Sequence, residues 1–258
     1  MLNATLTKRI NLTSELTIFH VKPDAGVPEF SPGQYVALGL PGSAPRMAGA
    51  PPEDEKFSPD KLIKRAYSIG SSPHEREHLE FYIAIVPQGA LTSRLALLKE
   101  GDRLFAAPKI IGTFTLHDVP KDHNLILVST GTGIAPFMSM IREPETWEEE
   151  DRRIILAHGV RYPEDLAYAE ELKELEEIED RFAYLPIVSR ADSSYRGERG
   201  RVQRLFEPGG LNLNPSTDHV FLCGNPQMID DLEKILIARG YSVHHHKKPG
   251  TLHLERYW

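Results

Sequence analysis

The chain's 258 residues suffice for one large domain or two of ordinary size, and 40% hydrophobic against 26% charged residues is the balance of a globular protein with real cores. No apolar stretch is long enough to cross a bilayer, the opening MLNATLTKRI lacks the apolar region of a signal peptide, and the cytoplasm is the default expectation. The net charge of −7 argues against general nucleic-acid binding, and the single cysteine, Cys223, can form neither an internal disulfide nor an iron–sulfur cluster, so any electron-transfer chemistry would need an organic cofactor or a partner protein.

Residues 5–22, then GQYVALGL, KRAYSIGSS, LEFYIAIVP and DRLFAAP read as short strands split by turns, from their alternation and their β-branched and aromatic content. Such a run predicts a small antiparallel β-barrel. Residues 41–61, rich in proline and charge and without a period, read as an exposed loop inserted into it. The grammar changes after HDVPKDH, at about residues 117–123, which sets a first domain at 1–118 and a second at 119–258. Beyond it, apolar strands (LILVS, RIILAHG, FAYLPIVS, HVFLCG) alternate with helical patterns (FMSMIREPE, EDLAYAEELKELEEIED, PQMIDDLEKILIARG). That alternation predicts an α/β domain with a parallel sheet. The acidic run in EELKELEEIED reads as a solvated helix face.

Two stretches carry candidate chemistry. In LVSTGTGIAP, at 127–136, Gly131 and Gly133 permit close backbone approach to a phosphate at a helix N-terminus, and Pro136 is tolerated in a first helical turn. The third glycine of the dinucleotide-binding fingerprint is missing, so the stretch is either a nucleotide-binding turn or simply a tight strand-to-helix turn. In KRAYSIGSS, alternation puts Arg65 and Tyr67 on one strand face and Ser68 on the other, where a flat cofactor at the strand's end touches all three. The alternative there is a polar strand edge.

Taken together and in order, these motifs resemble those of the ferredoxin–NADP+ reductase family, in particular its bacterial flavodoxin/ferredoxin reductases. RAYS is similar to the family's R-x-Y-S flavin motif and PQGALTSRL (87–95) to its second flavin segment. GTGIAP is similar to its nicotinamide-side glycine turn and LCGNPQM (222–228) to its C-G-x-P-x-M segment. HGVRYPEDLAY, VSR, a later GR pair and the terminal RYW also fall where bacterial members have them. The resemblance spans almost the whole chain. It implies an N-terminal FAD-binding barrel, an NADP(H)-binding α/β domain whose C-terminal tail contacts FAD, and electron transfer between NADP(H) and a ferredoxin or flavodoxin.

By that resemblance, Arg65 pairs with the FAD pyrophosphate, Ala66 and Tyr67 border the isoalloxazine and ribityl region, and Ser68 hydrogen-bonds near flavin N5. Tyr82, Ile83 and Ala84 line the flavin, while Ala90, Leu91 and Thr92 meet the pyrophosphate through backbone N–H groups and a hydroxyl. Gly131, Thr132 and Gly133 bring nicotinamide toward the flavin. Cys223, Gly224, Asn225, Pro226 and Gln227 flank the dinucleotide, Cys223 serving equally well as a small buried residue. Val160 and Arg161, Ser189 and Arg190, and Arg201 form the 2′-phosphate pocket, with Arg196 and Arg199 as further donors. Trp258 stacks on the adenine and Tyr257 covers the isoalloxazine face, or the tail is merely packed; Ser68 and Tyr257 are the residues nearest the chemistry. The histidines at 244–246 alternate faces on a strand and do not converge on a metal. Other readings are a reductase component of an oxygenase system and a non-catalytic flavin electron-transfer subunit.

Overall fold

Alternation governs the first strands, as the computed structural model makes plain over the residues it describes, 1–53, 57–148 and 151–257. β1 (Ala4–Asn11) buries Ala4 and Leu6, and a bulge between Leu6 and Lys8 shifts its register against β2 (Leu16–Pro23). β3 (Tyr35–Pro41), β4 (Leu62–Ser68), β5 (Leu79–Ala84), the short helix α1 (Thr92–Leu95) and β6 (Arg103–Ala106) follow. The six strands pair antiparallel in the order β4-β3-β6-β1-β2-β5. Just past β4, Gly70 N–H donates to Glu80 O at 2.8 Å, which joins the two edge strands into a barrel. Leu6, Phe19, Val36, Leu38, Phe81, Ile83 and Leu95 fill it, each worth roughly 1.5–3 kcal/mol of burial.

The 41–61 insertion departs from the exposed loop its composition predicts. Its neck is laddered, with Gly42 N donating to Lys61 O and Ser43 N to Pro59 O, both at 2.9 Å. Ala44, Met47 and Phe57 pack against the barrel core.

The chain forms two compact units, Met1–Thr115 with Met138–Glu143, and Leu116–Phe137 with Pro144–Trp258. In the second, β7 (Asn124–Thr130) enters a 3-10 turn at Gly131–Ile134 and then α2 (Ala135–Ile141), whose residues from Met138 onward belong to the first unit. β8 (Ile154–Val160), α3 (Ala169–Ile178), β9 (Phe182–Val188), the two-residue β10 (Glu198–Arg199), β11 (Asp218–Gly224), α4 (Pro226–Ala238) and β12 (Leu252–Arg256) complete it. Every strand pair is parallel, in the order β10-β9-β8-β7-β11-β12. β11 is buried along its whole length, as a strand covered on both faces must be.

α3 begins later than its sequence pattern predicts. Residues 163–165 form a separate 3-10 turn led by Pro163, and Tyr168, at φ 61°, takes the left-handed conformation that resets the chain before Ala169. Of the three adjacent histidines, His245 and His246 are exposed, whereas His244 turns in to stack on His253 at 4.6 Å. No helix among the described residues is long and apolar enough to cross a membrane.

Candidate functional site

The strand order of the second unit reverses at β7: the chain steps outward through β8, β9 and β10, then returns to lay β11 on the other side of β7. In an open parallel sheet, the crevice beyond the strands' carboxyl ends at such a reversal is where ligands sit. Gly131–Ile134 closes one side of this crevice and Gly224–Asn225 the other.

Their glycines have distinct tasks. A Cβ on Gly133 would meet Cys223 O at 2.5 Å and Gly224 Cα at 2.8 Å, and one on Gly224 would meet Thr130 Oγ1 at 2.5 Å. The two turns therefore interlock backbone to backbone, and Gly133 does the close packing that the missing third glycine does elsewhere. Gly131 has φ +53° and nothing within 4 Å of its missing side chain, so it leaves an open face. His158, on β8, holds this turn from beneath: its Nε2–H donates to Gly131 O at 3.0 Å, its Nδ1 is buried without a hydrogen-bond partner, and burial lowers its pKa to about 4.

On the far side of the crevice, Thr130 Oγ1 accepts from Asn225 N at 2.9 Å. The Asn225 side chain caps α4, accepting from Gln227 N at 2.9 Å and Met228 N at 3.3 Å, and Gln227 Nε2 donates to Asp231 at 2.8 Å. Both side chains thus serve the helix, with Pro226 at its first position.

The sheet's hydrogen bonding continues past β8 and β9 and carries the arginines with it. Ser189 N and Oγ donate to Val160 O at 2.9 and 3.0 Å, and Arg190 N donates to Arg161 O at 2.8 Å. Gly200 N donates to Val188 O at 3.0 Å, which brings Arg201 to the same edge. Arg190 lies over the Tyr162 ring at 6.0 Å. The guanidinium groups of Arg161 and Arg201 donate to no acceptor among the described residues. Arg199 is engaged, its Nη2 donating to Ser193 O at 3.1 Å and Tyr195 O at 2.6 Å. The structure thus brings Arg161, Ser189, Arg190 and Arg201 together and ties Arg199 to its own loop.

Cys223, one residue before the end of β11, is fully buried, 3.8 Å from Glu255 Oε1 on β12. Burial, then the Glu255 carboxylate, push its thiol well above the usual range, with a contact from Tyr257 pulling the other way, so the sulfur is no nucleophile at neutral pH. Tyr257 N donates to Gly224 O at 3.2 Å, extending the β11–β12 pairing to the tail. Sequence reasoning missed Glu255; its pairing with Cys223 becomes visible only once β12 is known to lie beside β11. Trp258 lies outside the described residues.

In the barrel, Arg65 and Ala66 are exposed midway along β4, Tyr67 is half-buried and packs edge-on to Phe81 at 6.5 Å, and Ser68, which ends the strand, is buried. Among the described residues Arg65 meets no carboxylate; its Nη1 donates to Lys64 O at 2.8 Å. On β5, Ala84 is half-buried, Tyr82 is buried outside the barrel core, and Ile83 points into that core; Leu91 likewise fills it, so Ile83 and Leu91 offer a ligand only backbone. The Thr92 hydroxyl donates to Val86 O at 2.8 Å. The segment's open donors are therefore the N–H groups of Ala90, Leu91 and Thr92, which reach no acceptor among the described residues.

An antiparallel barrel with an N–H-lined turn, and a parallel sheet whose glycine turn and arginines share one edge, define a two-unit oxidoreductase. The Oxidoreductase NAD-binding domain family matches residues 127–234. The ferredoxin–NADP reductase of Pseudomonas aeruginosa is 37% identical, over 88% of this chain and 86% of that one. The flavodoxin/ferredoxin–NADP reductase of Escherichia coli is 35% identical over 98% and 97%. A crystal structure of a ferredoxin NADP+ reductase from Neisseria gonorrhoeae, with bound FAD and NADP, superposes with a TM-score of 0.82 at 25% identity, covering 99% of this chain and 98% of that one. The chain belongs to the ferredoxin/flavodoxin–NADP reductase family.

Proposed function

We propose that this protein is an FAD-dependent reductase that moves electrons between NADP(H) and a ferredoxin or flavodoxin, and that it works in the cytoplasm. The observation that carries the reading is the crevice edge: the ends of β9, β8, β7 and β11 deliver Arg190, Arg161, the Gly131–Gly133 turn and Gly224 side by side. A dianionic 2′-phosphate needs several charge-assisted donors, and an NAD site would instead present a carboxylate to the ribose hydroxyls.

The residues present fit both groups. Interlocked glycines leave the open face of Gly131 for the dinucleotide, with Thr132 at its side. Arg65 and the three N–H groups of residues 90–92 fit the FAD pyrophosphate, while Tyr67, Ser68, Tyr82 and Ala84 fit the flavin ring. When bound, the flavin supplies the redox chemistry, taking a hydride from a nicotinamide and passing electrons singly to a carrier protein. The chain's part would be to bind and orient: the arginines would select the phosphorylated nucleotide, the glycine turn would fix its approach, and Ser68 would hydrogen-bond near flavin N5. Tyr257 and Trp258 belong to this reading as tail residues against FAD.

The purified protein should be yellow and release FAD, not FMN, on denaturation, and NADPH should bleach the bound flavin far faster than NADH. A colourless, folded preparation that takes up no FAD would overturn the reading.

A further inference from the structure

The 41–61 insertion grips the segment that carries the open N–H groups. Arg46 reaches across to it twice, its Nε donating to Ser93 Oγ at 3.0 Å and its Nη2 to Pro87 O at 3.3 Å, and the backbone of its neighbour adds a third bond, Met47 N donating to Ser93 O at 2.7 Å. Arg46 Nη1 donates back to Pro51 O at 2.6 Å, which fixes the guanidinium to the insertion itself. Glu53 takes the second hold, accepting from Arg94 Nη1 at 2.6 Å and Nη2 at 3.1 Å. Arg94, only 3% exposed, also donates to Ala90 O at 2.6 Å and to Gly42 O at 2.9 Å at the insertion's neck.

These bonds act on the cradle through peptide geometry. In a trans peptide the carbonyl and the following N–H point in opposite directions. Holding Ala90 O inward on Arg94 therefore aims the Leu91 N–H outward, and holding Pro87 O on Arg46 does the same for Gln88. An anion site whose donors are already aimed loses less ordering entropy on binding.

We infer that residues 42–53 are a clamp, keyed by Arg46 and Glu53, that preorganises the pyrophosphate-binding turn at 88–92 and slows the release of FAD. The inference rests on the flavin assignment above. Arg46 and Glu53 are positioning residues here: they touch the turn, not the cofactor.

The test uses the holoprotein and the variants Arg46→Ala, Arg46→Lys and Glu53→Gln. FAD release is followed by the rise in flavin fluorescence on dilution, and amide hydrogen exchange across 88–92 is measured in flavin-free protein. Release should speed up about tenfold or more in Arg46→Ala and Glu53→Gln, with faster exchange at 88–92 and apoprotein melting nearly unchanged. Arg46→Lys, which keeps the charge without the fork, should fall close to the alanine variant. Wild-type release and exchange rates in Arg46→Ala and Glu53→Gln would overturn the clamp and leave the flavin assignment standing, and so would faster release that appears only with collapse of the barrel's melting transition. A wild-type protein that binds no FAD would overturn both.

Discussion

A guanidinium already held over a phenol ring gives up less freedom on meeting a phosphate than one extended into water. Arg190, over Tyr162 and bonded through its backbone to Arg161 O, is such a group, and Arg201 arrives at the same edge through Gly200. Arg190→Ala and Arg201→Ala should each weaken NADPH by about one to two decades, the worth of a charge-assisted contact of roughly 1.5–3 kcal/mol, and NADH far less. Binding titrations with both nucleotides decide it; equal losses would show that these side chains do not read the 2′-phosphate. At this scale the sequence displays the right residue types but not their engagements. Arg199 looks as eligible as Arg201 until the loop folds and its guanidinium turns onto Ser193 and Tyr195. His158 and Glu255 were illegible for another reason: each gains its contact from a neighbouring strand, Gly131 after β7 and Cys223 on β11, and no local spacing encodes that.

At the scale of elements, the glycine turn poses a question that two substitutions separate. An added methyl at Gly133 would press on Cys223 O and Gly224 Cα, both backbone atoms that cannot swing aside, whereas Gly131 has open space and only an unfavourable φ. Gly131→Ala should cost about 1–2 kcal/mol, the left-handed penalty alone. Gly133→Ala should cost at least as much through overpacking, roughly 1–3 kcal/mol, and should also force the β7 and β11 turns apart, weakening NADP+. Thermal midpoints and NADP+ titrations measure both; a Gly133→Ala protein with wild-type stability and affinity would refute the interlock. β7, β8, β9 and β11 were legible because buried parallel strands read as uninterrupted apolar runs. β10 has two residues, α1 has four, and β12 (LHLER) is too mixed to stand out, so these took form only with tertiary partners. The insertion's proline and charge predict solvent exposure, whereas Arg46 and Glu53 within it are anchors.

For the whole molecule, pH is the variable that the buried histidines make informative. Behind the crevice, at the opposite edge of the sheet, His219 Nδ1 and His253 Nε2 lie 3.0 Å apart, and Phe221 stacks flat on His253 at 4.0 Å. His123 and His244 close on this pair, with Arg152 near His219, Asp218 beside it on β11, and Asp118 bonded to His244 at 3.3 Å. Burial first, then the neighbouring histidines, lower His219 to about 4 and His253 to about 3, and burial lowers His158 to about 4. All three are therefore neutral in the folded chain at a pH where the unfolded chain, with histidines near 6.5, has begun to take up protons. Because the unfolded state then binds more protons, stability is full above about pH 6.5 and falls as pH drops toward 4 and then 3. For His158 alone, the fall from 6.5 to about 4 corresponds to about 3 kcal/mol, at 1.36 kcal/mol per pH unit. Cys223 acts at the other end: with its thiol held up by burial, the unfolded chain loses a proton first above the ordinary thiol value of 9.0, and stability declines there as pH rises. Melting of the wild-type protein should therefore drop steeply between about pH 6.5 and about pH 4. His253→Phe keeps a flat ring against Phe221 and removes one suppressed proton site, at the cost of the His219 hydrogen bond. It should lower stability near neutrality by about 1 kcal/mol and flatten the acid limb. An acid limb as steep as the wild type's would mean that this histidine stack contributes nothing to the pH dependence.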